Sequence, residues 1–198
     1  MAKKDIKVVV DLGSHTLRAL VFSYGTDGGM EILKKAVLHL PAGSHAKRTA
    51  DKLREILFAT IKNFEKIPSS VVVALGPHMG EMEVAVWKAR VLPRDRALSY
   101  KDLETQFENL AEARRDPSKT QLTSPANIYV NGYAVPRDRL DIRGKINELD
   151  FGVLVFSMPR EVGDVLVEAR RSFGGMTLDL TPVITAEAEA LVKRGGTG

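Results

Sequence analysis

Three apolar stretches open the chain, at about 6 to 12, 16 to 24 and 30 to 39, and only short turns separate them. The first turn is built on Gly13-Ser14 and the second on Gly25-Thr26-Asp27-Gly28-Gly29, so the pattern predicts an antiparallel meander of three strands. Pro41 and Gly43 break that sheet. Ser44 is then placed to cap a helix whose Ala50, Leu53, Leu57, Ile61 and Phe64 fall on one face, with Pro68 marking its end. The run Ser70 to Leu75 is short and wholly apolar, as in a strand lying beside helices in a parallel part of a sheet. These elements make a β-β-β-α-β half-domain.

The pattern changes after Gly76-Pro77-His78-Met79-Gly80, a loop-rich break. From Glu81 to Leu92, Met82, Val84 and Val86 alternate with charged neighbours, which predicts a strand. Ser99 to Arg115 predicts an amphipathic helix carrying Leu103, Phe107 and Leu110, and Ser99 with Asp102 resembles a capping box, Asp replacing the usual Glu or Gln. Asp116-Pro117-Ser118 closes that helix. Asn127 to Pro136 and Gly144 to Ser157 predict two further strands, and after Pro159 a helix carries Val162, Val165, Leu166, Ala169 and Phe173 until Gly174-Gly175 stops it. A small α+β module thus occupies about 77 to 173. Met176 to Leu180 is strand-like, and Thr185 to Arg194 is helix-like with Ala186, Ala190 and Leu191. The strand at 176 to 180 is expected beside the one at Val71, which makes the module at 77–173 an insertion in a first domain formed by 1–76 and 174–198.

Charge and composition narrow the function classes. Lys and Arg total 29 against 25 for Asp and Glu among 198 residues, a formal charge of +4. Both signs alternate along the chain instead of gathering in one stripe, which argues against nucleic acid as a partner. The absence of cysteine excludes a disulfide framework and thiol chemistry and fits the cytoplasm. Met1 to Asp5 carries no hydrophobic signal segment and no run approaches membrane-spanning length, so no direct membrane insertion is expected.

The residues with the most chemical content are Asp11-Leu12-Gly13-Ser14-His15-Thr16-Leu17-Arg18, where a strand ends in an acidic residue, turns and leaves again at once. Gly13 lets the backbone turn tightly, so the amides around Ser14 and His15 can point at an anion. Asp11, at the mouth of the turn, is placed to hold a water or a divalent cation beside it. Arg18 either reaches the same anion or faces solvent. The plainer alternative is an ordinary hairpin with a Gly-Ser tip. No Ser-His-Asp set, paired catalytic carboxylates or Walker lysine is visible, so no catalytic residue is assigned. His39, His45 and His78 lack metal-ligand spacing and read as exposed loop histidines. Trp87 reads as a packing residue, Lys88, Arg90, Arg94 and Arg96 as a solvated strand end, and Glu187 and Glu189 as surface charges.

Asp11-Leu12-Gly13-Ser14, the apolar strand after it and the order of modules resemble the N-terminal half of the actin-like ATPases, most of all the FtsA-like cell-division proteins. The resemblance implies an α/β fold, half of an actin-like (ribonuclease H-like) ATPase domain, with an inserted α+β domain of the strand-helix-strand-strand type called SHS2 at 77–173. It implies a half-site for ATP and Mg2+ with Asp11, Gly13, Ser14, His15 and Arg18 as nucleotide-binding residues and Asp11 as the metal ligand. It also implies a divisome scaffold whose insertion domain contacts cell-division or pilus-assembly proteins, with self-association, in the cytoplasm and membrane-associated only through partners. The pilus-assembly family PilM shares this architecture, and a PilM-like pilus-assembly protein without nucleotide binding is the alternative within the resemblance. Where FtsA-like proteins carry a lysine soon after the phosphate turn, this chain has Thr16 and Arg18, closer to the PilM spacing. The family's second phosphate motif and adenosine motif belong to a second lobe beyond Gly198, so the chain reads as a fragment or short form, and catalysis by it alone is not expected.

Two other classes compete. A stand-alone SHS2 binding module would present an edge strand or groove to another protein and keep the phosphate turn only as a relic. A ribonuclease H-like nuclease would need further carboxylates converging on Asp11 to hold two metals, and the later strands supply at most Asp179.

Overall fold

The computed structural model describes residues 6–25, 28–40, 46–62, 68, 70–89, 99–135, 146–171 and 177–182. It is a mixed α/β structure with two sheets. The chain divides into one unit of Met1–Glu81 with Met158–Gly198 and a second of Met82–Ser157.

In the first unit, β1 (Ile6–Leu12), β2 (Thr16–Tyr24) and β3 (Met30–His39) form the expected meander, followed by α1 (Ala46–Ile61) and β4 (Ser70–Leu75). The sheet is completed by β9 (Thr177–Pro182), in the order β3-β2-β1-β4-β9. Short turns can only return a strand antiparallel, as between β1, β2 and β3. The helix between β3 and β4 provides the longer crossing that a parallel strand requires, and β4 lies parallel to β1. β9 runs parallel to β4 with Ser70 opposite Thr177 and Leu75 opposite Pro182, the neighbour that its apolar pattern predicts.

Alternation along these strands sorts their faces. Val8, Val10 and Leu12 of β1, Leu17, Ala19 and Val21 of β2, and Val71, Val73 and Leu75 of β4 are buried. In α1, Leu53, Ile56, Leu57, Thr60 and Ile61 recur at helical spacing and are buried, while Phe58 on another side is 67% exposed. The Thr60 hydroxyl donates to the Ile56 carbonyl, and Lys34 Nζ donates to the Ala59 carbonyl at 2.6 Å, satisfying an end group of the helix. Ser23 is fully buried in β2, and its hydroxyl has no hydrogen-bond partner among the described residues.

The second unit contains β5 (Glu81–Ala89), α2 (Tyr100–Ala113), β6 (Lys119–Val130), β7 (Tyr133–Val135) and β8 (Leu149–Pro159), with sheet order β5-β8-β6-β7. The capping box forms as expected. The Asp102 N–H donates to Ser99 Oγ at 3.3 Å, and the Ser99 N–H donates to Asp102 Oδ2 at 3.0 Å. Trp87, Leu103, Ile128, Leu149, Phe151, Val153 and Val155 make the core. Trp87 is the packing residue anticipated, stacked on Phe107 at 5.8 Å with the Arg114 guanidinium 5.4 Å from its ring centre.

Three expectations change. In β5, Trp87 points into the core with Ala85 and Ala89, while Val84 and Val86 are exposed at 74% and 65%; one large aromatic overrides two valines in choosing the face. The stretch 127–136 is not one strand, because Asn131 and Gly132 both adopt positive φ, 50° and 81°, and turn the chain into a tight hairpin. Asn131 Oδ1 accepts from the N–H groups of Asn147 and Glu148, tying this turn to the start of β8. The helix after Pro159, α3 (Arg160–Arg171), packs against α1 and so belongs to the first unit rather than to the 77–173 module. Pro41, Gly43, Ser44, His45, Phe64, Arg90, Arg94, Arg96, Phe173, Gly174, Gly175 and the helix expected at 185–194, with Glu187 and Glu189, lie outside the described residues. So do the side chains of Ala50 and Ala169. Among the described residues, no helix is long and apolar enough to cross a membrane.

Two stability changes follow from the packing. Ser23→Ala removes an unsatisfied buried hydroxyl and raises stability by about 1 kcal/mol, read as a higher denaturation midpoint. Phe151→Ala empties a site that is 1% exposed and costs about 3–5 kcal/mol. Trp87, the single tryptophan, reports that loss by its fluorescence.

Candidate functional site

The structure brings the sequence-predicted site residues together at the carboxyl end of β1. Strand alternation sends Leu12 to the α1 side and Asp11 to the opposite face. Across that face the pairing register sets Val37, Arg18, Asp11, Ala74 and Thr181 in one row over five strands. Ala74 beside Asp11 has no side chain beyond Cβ to cover the carboxylate, which is 43% exposed. On the other side Arg18 approaches with NH1 3.9 Å from Asp11 Oδ2, its own side chain 66% exposed. At that distance and exposure the pair is weak.

The turn after β1 is closed by the Gly13 N–H, which donates to the Thr16 carbonyl at 3.0 Å, and is anchored to the end of β3 by the Leu40 N–H donating to the His15 carbonyl at 2.7 Å. A Cβ on residue 13 would stand 2.8 Å from the Thr16 carbonyl oxygen, so glycine is required by close backbone approach. Ser14 and His15 are exposed, and Ser14 Oγ lies 2.8 Å from His15 Nδ1. Among the described residues, the Ser14 and His15 N–H groups make no backbone hydrogen bond. Two exposed amides, a hydroxyl and a nearby guanidinium are a donor set suited to an anion.

His78 is an exposed loop histidine, as the sequence predicts, but its place beside Asp11 was not foreseen. It sits in the 3-10 turn Pro77–Met79 that leaves β4, and β4 ends level with β1, Leu75 opposite Leu12. A Cβ on Gly76 would stand 2.8 Å from His78 Nδ1 and 3.3 Å from the Leu12 carbonyl oxygen, so the ring lies over Gly76 next to the end of β1. Although the residue is exposed, partial desolvation of its ring holds the His78 imidazole below the ordinary histidine value, the Asp11 charge pulls it back up, and His15 adds to the lowering. The signal that finds this residue is topological: two parallel neighbours deliver whatever follows them to the same sheet edge. His39, the other described histidine outside the turn, is exposed as expected.

Among the described residues, no three His, Cys, Asp or Glu side chains gather closely enough to hold a metal ion. A cation at Asp11 would therefore draw its other ligands from a bound anion and from water, the usual habit of Mg2+. Asp179 does not converge on Asp11. It lies opposite Val72, which lies opposite Val9, so it is two residues down and two strands away, about 12 Å at ordinary strand spacing. The two-metal nuclease reading needs carboxylates far closer than that.

No protein-family model and no curated protein matches the chain. Among solved structures it is similar to a chain of the PilM-PilN type IV pilus biogenesis complex, at 16% identity and a TM-score of 0.51, over 89% of this chain and 47% of that one. It is also similar to a Bacteroides thetaiotaomicron protein described as having an actin-like ATPase fold and unknown function, at 8% identity and a TM-score of 0.42, over 95% of this chain and 56% of that one. The chain spans about half the length of these structures. At this identity the likeness to the pilus protein is one of fold.

The proximity of His78 to Asp11 is testable by titration. In an NMR pH series the His78 ring should titrate below the ordinary histidine value, and Asp11→Asn should lower it further by removing the charge that raises it. Because the folded value is depressed, the unfolded chain binds the extra proton first. Stability from this group is therefore fully present above the ordinary histidine value and is lost as pH falls from there through the lower folded value. His78→Gln should make that acid-side decline shallower.

Proposed function

We propose that this chain is part of an actin-like ATPase of the pilus-assembly type. In this reading the turn after β1 is a half-site for the phosphates of Mg-ATP, and the 82–157 unit is an SHS2-type module that contacts a partner protein. The observation that carries the first part is the closed Gly13 turn, with exposed Ser14 and His15 amides beside a half-exposed Asp11 and Arg18. Gly13 lets the turn close, Ala74 leaves the space beside Asp11 free, the amides and Arg18 would supply donors for phosphate oxygens, and Asp11 would hold the Mg2+ through water. ATP supplies a polyphosphate that the cation bridges. The residues of this chain bind and orient it, and hydrolysis, which in the family takes groups from two lobes, is not assigned to them alone.

The pilus-assembly family is preferred to the FtsA-like one on two counts. The strand after the turn carries Thr16 and Arg18 where the division proteins place a lysine. The shared fold of the PilM-PilN structure also extends over most of this chain. The partner in that complex makes a protein-docking role for one unit the natural second half of the proposal, with cell-division partners as the alternative.

An amide NMR titration of the full chain with Mg-ATP, up to millimolar, tests the phosphate site. Saturable shifts should appear at Gly13, Ser14 and His15 and vanish in Asp11→Ala. Gly13→Val, which forces a side chain against the Thr16 carbonyl, should abolish them as well. Unshifted amides at the turn would overturn the reading.

A further inference from the structure

The second unit carries a groove of about 700 Å³ between α2 and β6. Its floor is apolar, made by Leu103, Phe107, Ala111, Ile128 and Phe151. Its helical wall holds Glu104, Glu108 and Glu112 at four-residue spacing, all three exposed. The wall from β6 is neutral and polar, with Thr120, Thr123 and Ser124 as its hydroxyls. Among the described residues, Glu112 pairs with Arg115 at 3.5 Å, both side chains exposed, and Arg115 also lines the groove. Among the described residues, Glu104 and Glu108 form no ion pair.

We infer that this groove docks an extended, basic segment of a partner protein, its apolar side chains on the floor and its Lys or Arg side chains against Glu104, Glu108 and Glu112. Charge decides the sign of the occupant: three carboxylates face one guanidinium, Arg115, which is already paired with Glu112, and the β6 wall contributes no charge, so the groove stays anionic and an acidic segment is repelled. Geometry decides its form. Carboxylates four residues apart on a helix are spaced by about 6 Å, close to the roughly 6.6 Å between alternate residues of a strand, so a lysine at every second position meets each in turn. β6 also has an edge to offer. It runs from Lys119 to Val130, whereas β7 pairs with it only from Ile128 to Val130. Among the described residues the earlier part of that edge has no strand beside it, and such an edge accepts an added strand, with Pro125 able to offer only its carbonyl.

This inference rests on the partner-docking half of the function proposed above and is independent of the phosphate turn. The probe is a capped peptide of about eight residues alternating valine and lysine, with a valine and glutamate peptide as control, followed by fluorescence anisotropy and amide NMR on the full chain at low salt. The lysine peptide should bind and shift amides of α2 and of β6 near Thr123 and Ser124. The double variant Glu104→Lys, Glu108→Lys changes only exposed positions. It should weaken binding tenfold or more with an unchanged Trp87 fluorescence melt, and the glutamate peptide should not bind the native chain. Asp11→Ala should leave peptide affinity intact, so failure here and failure of the phosphate site are read separately. Equal binding of both peptides, an unaffected double variant, or shifts lying outside α2 and β6 would overturn the inference. So would shifts at the same amides that grow with protein concentration alone, since they would make a second copy the occupant.

Discussion

The position of Leu12 constrains the first unit more than any other. It stands opposite Leu17 in antiparallel β2 and opposite Leu75 in parallel β4, and all three are buried. Because side chains alternate along a strand, this register sends Val8, Val10 and Leu12 toward α1 and leaves Asp11 on the other face, one residue from the strand end. A slip of one residue would turn Asp11 into the core and the apolar set outward. Burying an unpaired carboxylate is far more costly than any local gain could offset. The hydrophobic contact that stabilises the sheet is therefore also what places the carboxylate at the mouth of the turn. Packing and site share one cause.

Much of this was legible in the residues themselves. The boundaries of β1, β2, β3 and β4 follow from apolar runs bounded by turn residues, and the pairing of β9 with β4 follows from a second such run that needs a buried parallel neighbour. The capping box at Ser99 and the packing role of Trp87 were readable for the same reason: each depends on neighbours within one element or on one large apolar side chain. The hairpin at Asn131-Gly132 was equally present as a dipeptide that favours positive φ at both positions, but the apolar residues on either side mask it as a continuous strand.

The parts that were not legible depend on contacts between distant segments. His78 follows a strand more than sixty residues beyond Asp11 and meets it only because β1 and β4 are parallel and end level. The face chosen by β5 is set by Trp87 finding Phe107 on α2, which no alternation of Met82, Val84 and Val86 can announce. The place of α3 is set by α1, an element of the other end of the chain. In each case the local pattern offers two outcomes, and a partner remote in sequence selects one.

On the proposed reading, the weak link between Arg18 and Asp11 is a useful property of the site. A pair at 3.9 Å with both groups in contact with water contributes about 1 kcal/mol at most, so Arg18 can leave Asp11 for a phosphate oxygen at small cost. Asp11 is then free to face a cation. The exchange keeps every charge paired, since the arginine passes to the anion as the carboxylate gains a divalent partner. A tight, buried Arg18-Asp11 bridge would have stabilised the empty turn and opposed that exchange. The exposed geometry at the end of β1 instead keeps both groups available, while the backbone that holds the turn is fixed by Gly13, Thr16 and Leu40.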